Sequence, residues 1–207
     1  MPQARKTTEK KFTYADYCTW PEDERWELIE GIAFDMTPAP IRLHSLISGN
    51  LFSLLHRFFE GKPCEVHDAP FDVRLPRNRE PDDKVETVVQ PDILVVCDEK
   101  KLDDKGCRGA PDLVVEILSP STAPKDHITK KRLYEKHGVK EYWLISPIDR
   151  IVTLYRRESA AEFGPAQIFI DTDIIKIELF PGLEIDLAKV FPTLPPRIVR
   201  ESPRKYL

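Results

Sequence analysis

Gln90-Pro91-Asp92-Ile93-Leu94-Val95-Val96 and Pro111-Asp112-Leu113-Val114-Val115-Glu116-Ile117-Leu118 are the two stretches on which the fold turns. Each is a short run of Val, Ile and Leu, and runs of this kind predict strands covered on both faces. Each also carries an acid. Asp92 opens the first run and Glu116 sits in the middle of the second. A carboxylate so placed must neutralise, pair or bind a metal, because burying an unpaired charge costs several kcal/mol or more.

Working outward, Ser119-Pro120-Ser121-Thr122-Ala123-Pro124 ends the second run and leads into a helix near 125–137, closed by Gly138. Glu141–Ser146 and Arg150–Tyr155 read as strands around Pro147-Ile148-Asp149, with shorter strands near 167–170 and 174–180. The segment from Asp112 to Ile145 is thus a strand–helix–strand unit, whose crossover should be right-handed with parallel strands. The loop at about 98–110 has no helical pattern, so the two acid-bearing strands should be antiparallel.

Upstream, Leu43, Leu46, Ile47, Leu51, Leu54, Leu55 and Phe58 recur at helical spacing and predict an amphipathic helix from about 42 to 60. Trp26 to Met36 reads as two short strands turning near Glu30-Gly31. Glu65 to Leu75 reads as one strand, and 76–87 as a charged exposed loop. The fold class is therefore α/β (α+β): a mixed central β-sheet flanked by helices, with extra N- and C-terminal strands. Residues 1–12 are expected to form a flexible arm, 13–192 a single domain and 193–207 a basic, Pro-rich tail.

Bulk composition constrains partners only weakly. A chain of 207 residues suits one domain with a real core. With 31 Lys and Arg against 35 Asp and Glu the net charge is −4, so a nucleic-acid binder would have to confine its positive charge to a cleft. Cys18, Cys64, Cys97 and Cys107 show no C-x-x-C pair and no zinc-like spacing with histidine, and read as reduced structural thiols. The polar N-terminus lacks a signal-peptide core, and no apolar run approaches the ~18 residues of a membrane span. A soluble cytoplasmic protein with no membrane partner is expected.

If the two acid-bearing strands are antiparallel, Asp92 falls near Glu116, while Asp112 lies four residues away, ~13 Å along the strand. Asp92 and Glu116 could then share one divalent ion, provided the register puts them on one face. Hard oxygen ligands without cysteine favour Mg²⁺ or Mn²⁺ over zinc. Taken alone, Asp92 reads better as a strand-start or turn acid after Pro91.

Lys130 shares a helical face with Leu133, Tyr134 and His137, which should pack on the sheet and give the lysine an acidic partner. The plain alternative is a lysine snorkelling at the rim. Lys131 is the runner-up, and Asp126 could cap the helix or pair with Lys130. His44, at the start of the 42–60 helix, and Glu30, at a turn, are auxiliary candidates as ligand or base. Two acids from neighbouring strands and one lysine are the groups a metal-assisted attack on a phosphodiester requires. The basic residues of the 125–136 helix and the 100–108 loop read as a solvated face, or as phosphate contacts if they flank such a site.

At Val89-Gln90-Pro91-Asp92-Ile93, Gly109 to Thr122, and Lys130-Lys131-Arg132-Leu133-Tyr134 followed by Gly138-Val139-Lys140-Glu141-Tyr142-Trp143, the chain resembles the putative restriction endonuclease family. That family is a bacterial branch of the PD-(D/E)XK nuclease superfamily. Glu27-Leu28-Ile29-Glu30-Gly31 and Pro40 with His44 resemble its N-terminal signature, and the resemblance spans about 14–156. It implies a restriction-endonuclease-like core and a Mg²⁺- (or Mn²⁺-) dependent endonuclease acting on DNA.

By that resemblance Asp92 and Glu116 match the two motif acids, and the carbonyl of Ile117 joins them as a metal ligand. Leu118 stands where the superfamily motif has lysine, a departure the family shares. Its recurrent helical lysine matches Lys130, which would supply the ammonium from another element. The competing expectation is an interaction domain that kept the fold and lost the chemistry. The sequence is open to a homodimer.

Overall fold

The computed structural model is described over residues 10–21, 23–36, 41–120, 122–159 and 162–193. Most of the expected arm and almost all of the expected basic tail, residues 1–9 and 194–207, lie outside the described residues.

In chain order the elements are α1 (Tyr14–Tyr17), β1 (Trp26–Ile29), β2 (Ile32–Asp35), α2 (Arg42–Phe59), β3 (Glu65–Asp68), β4 (Val73–Arg74), β5 (Val88–Val89) and β6 (Ile93–Val96). Then follow β7 (Leu102–Asp103), β8 (Gly106–Arg108), β9 (Leu113–Ile117), α3 (Lys131–His137), β10 (Glu141–Ser146) and β11 (Ile151–Arg156). The last are β12 (Gln167–Ile170), β13 (Ile174–Lys176), β14 (Glu184–Asp186) and α4 (Leu187–Val190). A wide π-helical turn, Lys125–Lys130, feeds directly into α3.

The main sheet has the order β12-β11-β10-β9-β6-β3. It is mixed, because β9 and β10 are parallel while β6 and β9 are antiparallel. Both relationships follow from the connections: a helical crossover joins β9 to β10, whereas the segment joining β6 to β9 contains only the short β7–β8 hairpin and a single turn.

The apolar runs are covered on both faces, as their composition demands. On one face Ile93, Val95, Leu113, Val115 and Ile117 pack with Ile47, Leu51, Leu55 and Phe59 of α2. On the other, Leu94, Val114, Tyr142 and Leu144 meet Leu133 and Tyr134 of α3, together with Ile29, Val73 and Val89. Gly138 stops α3 in a left-handed conformation (φ 94°) that favours glycine. No described helix is long and apolar enough to cross a membrane.

The architecture is mixed α+β with helices flanking mixed sheets, and three features refine the expectation. The additional N-terminal strands build a second six-stranded sheet, β2-β1-β5-β4-β8-β7, instead of extending the first. The segment 65–75 is two strands, β3 in the main sheet and β4 in the second, because Pro70 between them has no N–H for a continuous ladder. The loop 76–87 is not wholly exposed: Val85 and Thr87 are buried.

The cysteine expectation is also corrected. Cys64 and Cys97 are joined in a disulfide, while Cys18 and Cys107 are free. The pairing of Glu65 with Val96 explains it, since the next positions outward across the ladder are 64 and 97.

Candidate active site

Glu116 has Leu144 of β10 as its Cα partner, and its side chain leaves β9 on the face covered by the π-helical turn and α3. The β6–β9 register pairs Ile93 with Val115, and one step further places Asp92 opposite Glu116. Ile117 donates its N–H to Asp92 Oδ2 at 2.6 Å, and Leu118 donates to the carbonyl of Ile145 at 2.8 Å. The N–H and C=O of one strand residue point the same way, so the Ile117 carbonyl lies on the Asp92 side. His44 approaches from the first turn of α2, with Nε2 3.2 Å from Asp92 Oδ1.

Lys130 completes the group. It is only 3% exposed, and its Nζ lies 2.8 Å from Glu116 Oε1, 2.6 Å from Glu27 Oε1 and 3.8 Å from Asp126 Oδ1. Lys125, one turn earlier, holds the other oxygen of Glu27 at 2.6 Å. The Tyr134 hydroxyl donates to Glu116 Oε1 at 2.7 Å. Both of these contacts to Glu116 fall on the same carboxylate oxygen.

Burial is the largest influence on Glu116, and with the charges of Asp126, Asp92 and Glu27 it outweighs the opposing Lys130, so the carboxyl is pushed up to about 8. Burial would raise Glu27 as well, but the ammoniums of Lys130 and Lys125 win and hold it well below the usual range. Lys130 resists its own burial because Glu116, Glu27 and Asp126 surround it, and it stays charged far above neutrality. Burial dominates at Asp126 and raises it.

The sequence-derived candidates separate cleanly. Asp92, Glu116, Ile117, Lys130 and His44 come together. Glu30 does not: it is exposed on the β1–β2 turn, 3.0 Å from Lys136 and 4.0 Å from Arg77. Lys131 points elsewhere, over the rings of Tyr155 and Phe163. Asp112 lies at the far end of β9, accepting the Cys97 N–H at 2.8 Å and pairing with Lys140 at 2.6 Å.

Glu27 and Lys125 are not among the sequence-derived site candidates, although Glu27 lies in the Glu27–Gly31 signature and Lys125 in the basic run of the 125–136 helix. Glu27 interrupts the apolar strand Trp26-Glu27-Leu28-Ile29 just as Glu116 interrupts β9, and it is fully buried. That shared signal could have found it. Lys125 offered no such signal among the neighbouring basic residues.

The donor set suits one hard divalent cation. Glu27, Glu116 and Asp126 surround the Lys130 ammonium, Glu27 also holds Lys125, Asp92 pairs with His44, and the buried Asp126 Oδ1 has no hydrogen-bond partner. Among the described residues no three His, Cys, Asp or Glu side chains converge as a metal cage. An ion here would take two carboxylates, a carbonyl and water, which is the usual mode for Mg²⁺.

The fold matches that of a solved structure from Anabaena variabilis, described as a putative nuclease belonging to DUF820. The TM-score is 0.68 at 20% identity, over 87% of this chain and 97% of that one. In sequence the chain is 27% identical over 156 residues to the uncharacterized protein slr1290 of Synechocystis sp., covering 74% of this chain and 78% of the relative. A family model described as Uma2, putative restriction endonuclease, matches residues 14–188, and the chain belongs to that family.

Proposed function

We propose that the protein is a Mg²⁺- or Mn²⁺-dependent endonuclease that hydrolyses phosphodiester bonds of DNA. Family and fold support a nuclease-like function. The observation that carries the reading is the Lys130 ammonium, 2.8 Å from Glu116, with Asp92 opposite Glu116 in the register. An acid, an acid and an ammonium are thereby retained even though Leu118 stands at the motif position.

Asp92, Glu116 through its second oxygen and the Ile117 carbonyl would hold the cation. When bound, the cation lowers the pKa of a ligated water and neutralises charge on the scissile phosphate. Lys130 keeps its charge at all working pH values and supplies a fixed positive field beside Glu116. Glu27 and Lys125 hold that ammonium in place, and Tyr134 fixes the orientation of Glu116. His44 holds Asp92 from the α2 side and would be the candidate to accept a proton at this edge of the site.

Incubating the full chain with linear, circular and single-stranded DNA tests the proposal. Cleavage should require Mg²⁺ or Mn²⁺, stop with EDTA and disappear in Asp92→Ala. A preparation that binds the metal and cleaves no DNA form would favour the interaction-domain alternative.

A further inference from the structure

Arg25 stands just before β1 and two residues before Glu27, so the two side chains leave the strand on one face. The ladder reaches that far, because the Met36 N–H donates to the Arg25 carbonyl at 2.9 Å. The half-buried guanidinium has a neutral partner: Nη2 lies 3.1 Å and Nε 3.4 Å from Gln90 Oε1. Among the described residues no carboxylate forms an ion pair with it, although most other buried or half-buried Lys and Arg side chains have one.

Gln90 is built to hold that arginine. Its Nε2 donates to Asp72 Oδ1 at 2.9 Å and to the Tyr17 hydroxyl at 3.2 Å, and Tyr17 in turn donates to Asp72 Oδ1 at 2.9 Å. These contacts fix the amide with its oxygen toward Arg25, since the flipped amide would oppose N–H to N–H. Gln90 also donates its backbone N–H to Glu27 Oε1 at 3.2 Å, and it lies two residues before Asp92. One residue thus links the guanidinium to the acidic group by direct hydrogen bonds.

An arginine held through a neutral amide keeps its charge and most of its N–H fork for a ligand, and the fork matches two oxygens of a phosphate. A polyanion brought to an acid-rich centre also needs a cation at its edge to offset repulsion. We propose that Arg25, positioned by Gln90, binds a backbone phosphate of DNA beside the Asp92–Glu116 centre. The inference rests on the nuclease reading for its ligand, but binding can be measured without hydrolysis.

The test is fluorescence anisotropy of a fluorescein-labelled 20-base-pair duplex, and of its single strand, titrated with the full chain in EDTA at several salt concentrations. Arg25→Gln should weaken binding about tenfold, and its log Kd against log salt should be shallower by about one phosphate contact. Arg25→Lys should fall between it and the wild type, and Gln90→Leu should weaken binding in the same sense. Arg79→Gln, in the exposed 76–81 loop, should stay within twofold.

Affinity of Arg25→Gln within twofold of the wild type, or an equal loss in Arg79→Gln, overturns the inference, as does a wild type that binds neither DNA form. If Arg25→Gln does not fold, Arg25→Lys decides: a loss of about threefold supports the site and unchanged affinity overturns it. A wild type that binds DNA through Arg25 but never cleaves it would remove the nuclease reading alone. Metal-dependent cleavage with no Arg25 effect on binding would remove this inference alone.

Discussion

Lys130 Nζ lies 2.8 Å from Glu116 Oε1, although the lysine comes from a helical turn and the acid from a buried strand fourteen residues earlier. The same ammonium lies 2.6 Å from Glu27, which belongs to the other sheet. One buried cation thus ties both sheets to the candidate centre, and its loss should register in stability as well as in chemistry.

Glu27→Gln and Lys130→Met should each destabilise the fold by about 3–5 kcal/mol, because each leaves buried charge without its partner. The double variant should be markedly less unstable than the sum, since it removes both ends of one ion pair. Urea unfolding at pH 7 measures this. Simple additivity would mean the two residues act independently.

Where Lys130→Met or Lys130→Arg still folds, metal-dependent cleavage should fall ~10²-fold or more, the scale of losing an electrostatic transition-state contact. Arginine should restore little, since its planar fork cannot occupy a pocket shaped around one nitrogen shared by three carboxylates. Single-turnover rates give the comparison, with Lys131→Ala as the control.

Glu116 gives the metal-free protein a pH signature. Its folded pKa, pushed up to about 8 by burial, exceeds the unfolded value of 4.5, so the folded state holds a proton that the unfolded state has released. The sign is therefore negative: between about pH 4.5 and 8, Glu116 lowers stability as pH rises. The wild type minus Glu116→Gln difference in urea midpoint should show that slope, and saturating Mg²⁺ should flatten it. A pH-independent difference would mean Glu116 is ionised throughout.

Much of this arrangement is legible in the residues, because period and composition report burial. The leucine spacing from Leu43 to Phe58 predicts α2 nearly to its ends, and the runs 90–96 and 111–118 contain β6 (Ile93–Val96) and β9 (Leu113–Ile117). The Asp92–Glu116 pairing needs one further step, the antiparallel relation inferred from a helix-free loop. What stays hidden depends on contacts distant in sequence. Glu27 reaches Lys130 across 103 positions only because the second sheet folds over the first. Its neighbour Glu30, three residues on, has the same chemistry and a more visible place at a turn, yet faces outward to Lys136. The Cys64–Cys97 bond likewise depends on the β3–β6 register, which no cysteine spacing encodes.

In the proposed site Asp92 and Glu116 share one hard cation, and calorimetric titration of the full chain with Mn²⁺ tests that most directly. The wild type should bind at one site. Asp92→Ala and Glu116→Ala should each abolish binding, because two carboxylates must act on one ion. Asp112→Ala should bind like the wild type, since Asp112 is committed to Lys140 and the Cys97 N–H at the far end of β9. Equal Mn²⁺ binding by the wild type and Glu116→Ala would contradict the account and leave Glu116 as a structural partner of Lys130.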